Sequence, residues 1–167
     1  MHIAIFIYGL TGGGATRRTL TLAEGFCSRG HSVDMVVVNG GGPLVSELPS
    51  SVRLVELNTI SPAGILCRRG SRRRKIFFSQ LALACYLRKN RPDCLLSAAN
   101  HVNLAAIGAR KLSGTRIPLV TRISNHLSTS LLQGRKLSKK FRYFLACRIY
   151  RDADAIIAVA EGIADDI

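Results

Sequence analysis

The chain has 167 residues, 47% of them hydrophobic and 20% charged, a composition that argues for one folded globular domain with a sizeable core. Its 24 Lys and Arg against 10 Asp and Glu give a net charge of +14, which draws it toward polyanions or anionic lipid surfaces and says nothing about fold. Cys27, Cys67, Cys85, Cys94 and Cys147 are odd in number and lack C-x-x-C spacing, which argues against a disulfide framework or a zinc site. They are expected as reduced core or near-core residues of a cytoplasmic protein.

The opening Met1 to Tyr8 is an apolar strand. It has no basic leader and meets glycines rather than a cleavage site, so it is not a secretory signal. Gly9-Leu10-Thr11-Gly12-Gly13-Gly14 follows, then an amphipathic helix running toward Arg29-Gly30-His31. Val33 to Val38 is the second strand, and Val52 to Leu57 alternates as a third after the turn Gly40 to Pro49. Apolar residues recur at helical spacing from Arg72 to Arg88. Asn90-Arg91-Pro92-Asp93 ends that helix, because proline disfavours helical backbone in the residue before it. Cys94 to Ser97 is a short strand, Val102 to Leu112 a helix closed by Ser113-Gly114, and Ile117 to Arg122 a fifth strand. Lys136 to Tyr150 reads as a basic amphipathic helix and Ala155 to Val159 as a sixth strand. From Glu161 to Ile167 a further helix begins, and the chain reads as cut within it. No run approaches the roughly 18 to 20 apolar residues of a membrane-spanning helix. Apolar strands separated by helices predict a doubly wound α/β domain, a parallel sheet with helices on both faces that binds ligand at the carboxyl ends of its strands.

The glycine loop is the first candidate site. Glycines between a strand and a helix let backbone N–H groups approach an anion, and the helix adds the positive end of its dipole. A Walker loop requires Lys-Ser/Thr after the second glycine of its spacing, where this chain has Ala15-Thr16. The G-x-G-x-x-G fingerprint fails in both registers, at Thr11 and at Arg17, and Asn39 stands where the second strand should deliver a ribose-binding acid. An NTPase and a dinucleotide enzyme are thereby set aside. A turn that merely packs a helix tightly on the sheet remains the alternative to a ligand loop.

The order of further segments is more specific. Leu22-Ala23-Glu24-Gly25-Phe26 and Arg29-Gly30-His31-Ser32-Val33 lead into strand two. Leu87 to Asp93, Asn103-Leu104-Ala105, Ile117 to Thr121 and Ala153 to Val159 with Glu161-Gly162-Ile163 follow in sequence. Over nearly its whole length the chain resembles the N-terminal domain of the family 4 glycosyltransferases, retaining enzymes of the GT-B architecture. The resemblance implies that residues 1–167 are the acceptor-side Rossmann-like half of a two-domain enzyme, and that the C-terminal domain holding the nucleotide-sugar donor is absent from this chain. It implies no cofactor and no metal, the nucleotide-sugar being a substrate. This chain by itself is expected to be inactive.

Within that resemblance, Gly12, Gly13 and Gly14 would lie at the cleft floor near the donor's phosphates, where pre-oriented N–H groups stabilise the leaving diphosphate. Relatives often carry a glutamate next, and this chain has Thr16, Arg17 and Arg18 there, with Arg17 a candidate substrate contact. The loop after strand five, Thr121-Arg122-Ile123-Ser124-Asn125-His126, would open into the same cleft. His126 or Ser124 occupies the position of a histidine that touches the transferred sugar in relatives, and these two are the catalytic candidates, with Asn125 a substrate contact. His126 is otherwise an ordinary loop histidine. Arg122 is read either as a binder of an acceptor phosphate or as a salt-bridging residue at the sheet edge. Asn100, His101 and Asn103 form a polar cluster after strand four, either contacting substrate or, for His101 and Asn103, capping the next helix.

Arg68, Arg69, Arg72, Arg73, Arg74 and Lys75 crowd together before Ile76-Phe77-Phe78. Lys136, Lys139, Lys140 and Arg142 surround Leu137, Phe141 and Phe144. Positive charge beside aromatics suits an anionic membrane surface, at roughly 1 kcal/mol per basic residue; a solvated surface loop is the plainer reading. Together with these basic segments, the resemblance implies a cytoplasmic enzyme, peripheral at the inner face of the membrane, that transfers a sugar to a lipid-linked or cell-surface glycan. The competing reading, a non-enzymatic basic module for nucleic acid, rests on charge alone. RNP, KH and helix-turn-helix patterns are missing and aromatics are only 6%, so no nucleic-acid partner is expected.

Overall fold

A computed structural model describes residues 1–57, 72–124 and 148–165, with the side chains of residues 72–74, 100 and 101 outside that description. The elements are β1 (His2–Gly9), α1 (Gly14–Cys27), β2 (Ser32–Asn39), β3 (Val52–Glu56), α2 (Arg72–Asn90), β4 (Cys94–Ser97), α3 (Asn100–Ser113), β5 (Leu119–Ile123), β6 (Ala155–Ala158) and α4 (Glu161–Ala164). The strands form one six-stranded sheet in the order β3-β2-β1-β4-β5-β6. Every pairing is parallel.

Alternate side chains of these strands feed two cores. Ile3, Ile5, Ile7, Met35 and Val37 meet Leu20 and Ala23 of α1 on one face. Ala4, Phe6, Val36 and Leu95 meet Leu83, Leu87 and Ala106 of α2 and α3 on the other. Each fully buried Leu, Ile or Phe contributes about 1.5–3 kcal/mol, so apolar runs covered from both sides hold the sheet together. This is the doubly wound Rossmann-like fold expected of the sequence.

The boundaries differ in instructive ways. α2 runs to Asn90, and Arg91 leaves it with φ 42° while its N–H still bonds to the Leu87 carbonyl at 3.0 Å. β5 begins at Leu119 rather than Ile117, because Pro118 has no N–H to give to a ladder. β6 ends at Ala158 rather than Val159, and Ile156 and Ile157 are 37% and 47% exposed. It is the last strand of the sheet, bonded only to β5 among the described residues. Cys85 departs from the near-core reading: it is exposed on α2, whereas Cys27 and Cys94 are half-buried. Cys67 and Cys147 lie outside the described residues, as does the segment expected as a helix from Lys136, apart from helical residues 148–150.

Candidate functional site

The sheet order reverses between β1 and β4, and the chain leaves both strands at the same edge, where a doubly wound sheet opens a crevice. β1 ends in Gly9, beside Asn39 of β2. A Cβ on Gly9 would sit 2.6 Å from the Asn39 carbonyl oxygen, so strand packing demands that glycine. Leu10 then turns fully inward, and its carbonyl accepts the Leu44 N–H at 3.2 Å. Gly42, with φ 154°, makes that contact possible, since a Cβ there would lie 2.2 Å from the Leu10 oxygen.

Gly12, Gly13 and Gly14 are different. All are exposed, and a Cβ would meet only Pro43 at 3.9 Å from Gly12 and nothing within 4 Å from the other two. Strand packing thus accounts for Gly9, while the three-glycine run is an open edge. Gly13, at φ 137°, caps α1 without a side-chain hydrogen bond, and the first turn of α1 contains no acid. The positive end of the helix is left uncompensated. Beside it lies a cavity of about 70 Å³, lined by Tyr8, Gly9, Thr11, Thr16, Ala98 and Ala99 among others.

Arg122 reaches this place from β5. It is 9% exposed, and its Nη2 donates to the Ala15 carbonyl at 3.2 Å. No ion pair among the described residues includes it. Burial, and then the charge of Arg18, hold its pKa below the ordinary arginine value. Arg17 turns the other way and pairs with Glu47 at 3.2 Å, both side chains being well exposed.

Asn103 is corrected by the structure. It is fully buried, accepts from the Ser97 hydroxyl at 2.7 Å, and donates to the Arg122 carbonyl at 3.1 Å and the Tyr150 hydroxyl at 3.2 Å. With its amide engaged by β4, β5 and residue 150, it positions the strand ends and has no face turned to substrate. It does not cap α3 either, whose N-cap is Ala99 with no side-chain bond. Ser124 follows β5 at the same edge, half-buried. Asn100 and His101 open α3 there, but their side chains lie outside the description, and so do Asn125 and His126 entirely.

Of the expected membrane contacts, Arg68 and Arg69 lie outside the described residues, and Arg72, Arg73 and Arg74 are placed only as the first turn of α2. Lys75 is half-buried, while Phe77 and Leu81 on the same helix are 66% and 46% exposed. No helix among the described residues is long and apolar enough to cross a membrane.

One polar cluster was missed by sequence reasoning. Asp34 of β2, 3% exposed, accepts from Arg53 Nε at 2.8 Å, from His2 Nε2 at 2.9 Å and from the Tyr86 hydroxyl. Burial pushes the Asp34 carboxyl up, but Arg53, Tyr86 and His2 outweigh it and hold its pKa below the usual carboxylate value. Burial and the facing carboxylate push the Tyr86 phenol well above its ordinary value. The cluster sits in the amino-terminal half of the strands, away from the crevice. Its signal was a lone carboxylate within the apolar run Val33 to Val38.

A 3-2-1-4-5-6 parallel sheet with an open glycine edge and an acid-free helix start at its switch point defines a Rossmann-like domain. Residues 12–167 match Glycosyltransferase Family 4, and the chain belongs to that family. It is 29% identical over 133 residues to an undecaprenol-diphosphate-glycan α-1,4-N-acetyl-D-galactosaminyltransferase of Campylobacter jejuni, covering 80% of this chain and 34% of that protein. In fold it is similar to the lipopolysaccharide outer core galactosyltransferase WaaB, with TM-score 0.62, 18% identity, and 99% of this chain against 41% of that one. Sucrose-phosphate synthase of Thermosynechococcus elongatus gives TM-score 0.64 at 15% identity, over 93% of this chain and 41% of the other. The chain thus spans between a third and about two fifths of the length of these relatives, and its fold is that of one Rossmann-like unit of the GT-B glycosyltransferases.

Proposed function

We propose that the chain is the acceptor-side domain of a glycosyltransferase that moves a sugar, with retention, from a nucleotide-sugar to a lipid-linked or cell-surface glycan. The observation that carries this reading is the open Gly12 to Gly14 edge joined to an uncapped, acid-free helix start at the switch point, in a chain of family 4. Charge develops on the leaving diphosphate during transfer, and amides fixed in the fold stabilise it without reorganising water. A lipid-linked acceptor is supported by the Campylobacter relative, whose substrate is carried on undecaprenol diphosphate. The donor's nucleoside is assigned to a second domain, and the catalytic side chain to Ser124 or His126, with Asn100, His101 and Asn125 as substrate contacts and no cofactor.

The site works at the inner face of a membrane in this reading. Support comes from the net charge of +14 and from α2, which carries Lys75 after three arginines and then exposes Phe77 and Leu81. The combination of basic and apolar groups suits anionic lipid.

Transfer assays on this chain, with and without a family 4 donor-binding domain supplied in trans or by fusion, test the proposal. Product is expected only when both halves are present, on an undecaprenyl diphosphate glycan, with the anomeric configuration of the donor kept. Substantial transfer by this chain alone would show that the donor site is wrongly placed. Vesicle sedimentation tests the membrane part: anionic vesicles should pellet the chain at low salt and release it at high salt. Equal pelleting with neutral vesicles contradicts it.

A further inference from the structure

We propose that the outer edge of β3 and the last turn of α2 form a docking groove for an extended acidic segment of a partner protein, which adds to the sheet as a further strand. β3 stands at the end of the sheet, and β2 is its one strand partner among the described residues. Successive residues of a parallel strand direct their N–H and C=O groups alternately to its two sides, so part of this set faces away from β2. Beside it runs a groove of about 290 Å³, lined by residues 53–56 of β3 and by Tyr86, Lys89 and Asn90 of α2. An open strand edge walled by a helix is the arrangement that accepts a peptide by strand addition. Backbone groups at strand spacing are matched by another extended backbone, which neither a lipid surface nor a helix supplies.

The side chains determine what that segment carries. Val55 packs into the core beneath α2 and Leu54 into the core beneath α1, so Arg53 shares the α2 face with Val55. Asp34 holds the Arg53 guanidinium through Nε at 2.8 Å and through Nη2, which also reaches Asn90 Oδ1 at 3.5 Å. Arg53 is therefore pinned beside the strand and does not sweep across its edge as a guarding charge does, and its side chain is 59% exposed. Lys89 is exposed and has no ion pair among the described residues. An added strand meets both cations on its α2 face, and acids on that face complement them.

A second copy of this chain is the poorer occupant. Antiparallel pairing about a two-fold axis opposes residues an even number of positions apart, because opposed side chains share a face. Arg53 would face Arg53 or Val55 of the other copy, while Glu56, the one acid of β3, lies on the opposite face. Both copies would also bring Arg53 and Lys89 into one groove.

Amide NMR of the isotope-labelled chain, titrated with the blocked hexapeptide acetyl-Thr-Glu-Val-Glu-Val-Thr-amide, tests the groove. Shifts are expected at residues 53–56 and 86–90, with slowed hydrogen exchange at the outward-facing amides of β3. The same peptide with lysine in place of glutamate should bind at least about fivefold more weakly, the scale of an exposed charge contact. Lys89→Glu should reverse that preference and leave the rest of the amide spectrum in place. Methylating the peptide nitrogens that face β3 should abolish binding, and methylating the alternate ones should not. Equal affinity for the two peptides, equal effects of the two methylation patterns, or no shift at β3 with millimolar peptide overturns the proposal. So does a short single-stranded RNA that gives the same β3 shifts, which marks a general anion surface. None of these readouts involves sugar transfer, so the groove stands or falls separately from the transferase reading.

Discussion

Replacing Asp34 with alanine removes the acceptor shared by Arg53, His2 and Tyr86. Tyr86 is fully buried, so its hydroxyl is left without its partner in the core, at about 1–3 kcal/mol. Arg53 loses a two-pronged carboxylate contact, but its side chain is 59% exposed and the guanidinium turns to water, so its share falls at the low end. The total expected is about 1–4 kcal/mol. For a chain of this size that lowers the thermal midpoint by roughly 2–16 °C. Circular dichroism melts at pH 7 measure it directly. The sign of the pH dependence follows from the lowered Asp34 pKa. The carboxylate stabilises the fold above its unfolded value near about 3.9, and that contribution disappears as pH falls through the folded value below it. The gap between parent and variant should therefore narrow in acid. Adding Tyr86→Phe to Asp34→Ala should recover part of the loss, since it removes the stranded hydroxyl. A loss under about 1 kcal/mol at pH 7, or no recovery on adding Tyr86→Phe, refutes the reasoning.

Other expectations concern single positions. Gly42→Ala forces a Cβ to within 2.2 Å of the Leu10 oxygen at a positive φ, and should cost about 1–3 kcal/mol by urea unfolding, whereas Gly14→Ala at the helix start meets nothing and should leave stability within about 0.5 kcal/mol. Asn103→Ala leaves the buried Ser97 hydroxyl without the Asn103 acceptor and removes the bond to the Arg122 carbonyl, and should destabilise by about 1–3 kcal/mol, which an unchanged melting curve contradicts. Timed alkylation read by peptide mass spectrometry should modify exposed Cys85 well before Cys94, whose thiol pKa is raised by burial and then by Asp154; the reverse order contradicts the placement.

The backbone of this fold was legible because parallel strands covered on both faces are written as continuous apolar runs, as at His2 to Ile7 and Val33 to Val38. The glycine loop was legible too, since three consecutive glycines have few uses. Its internal division of labour was not. Whether a glycine is needed for packing, as at Gly9, or leaves an open edge, as at Gly13, depends on the strand lying beside it, and spacing along the chain does not report that. Asn103 misled for the same reason. A polar residue at a strand's carboxyl end reads as ligand contact until its partners, one of them 47 residues away at Tyr150, come into view. The exposure of the Ile-Ile pair of β6 was not legible either, because an apolar run marks a strand while the sheet order decides which strand stands at the edge.

The central claim is that this fold serves sugar transfer onto a diphosphate-linked glycan. The most direct measurement places the chain in a polypeptide with its donor-binding domain, supplies nucleotide-sugars and undecaprenyl diphosphate glycans, and follows the acceptor by mass spectrometry and anomeric proton NMR. The account predicts a mass increment of one sugar with the donor's anomeric configuration retained. An unmodified acceptor with every donor, or a product of inverted configuration, contradicts it.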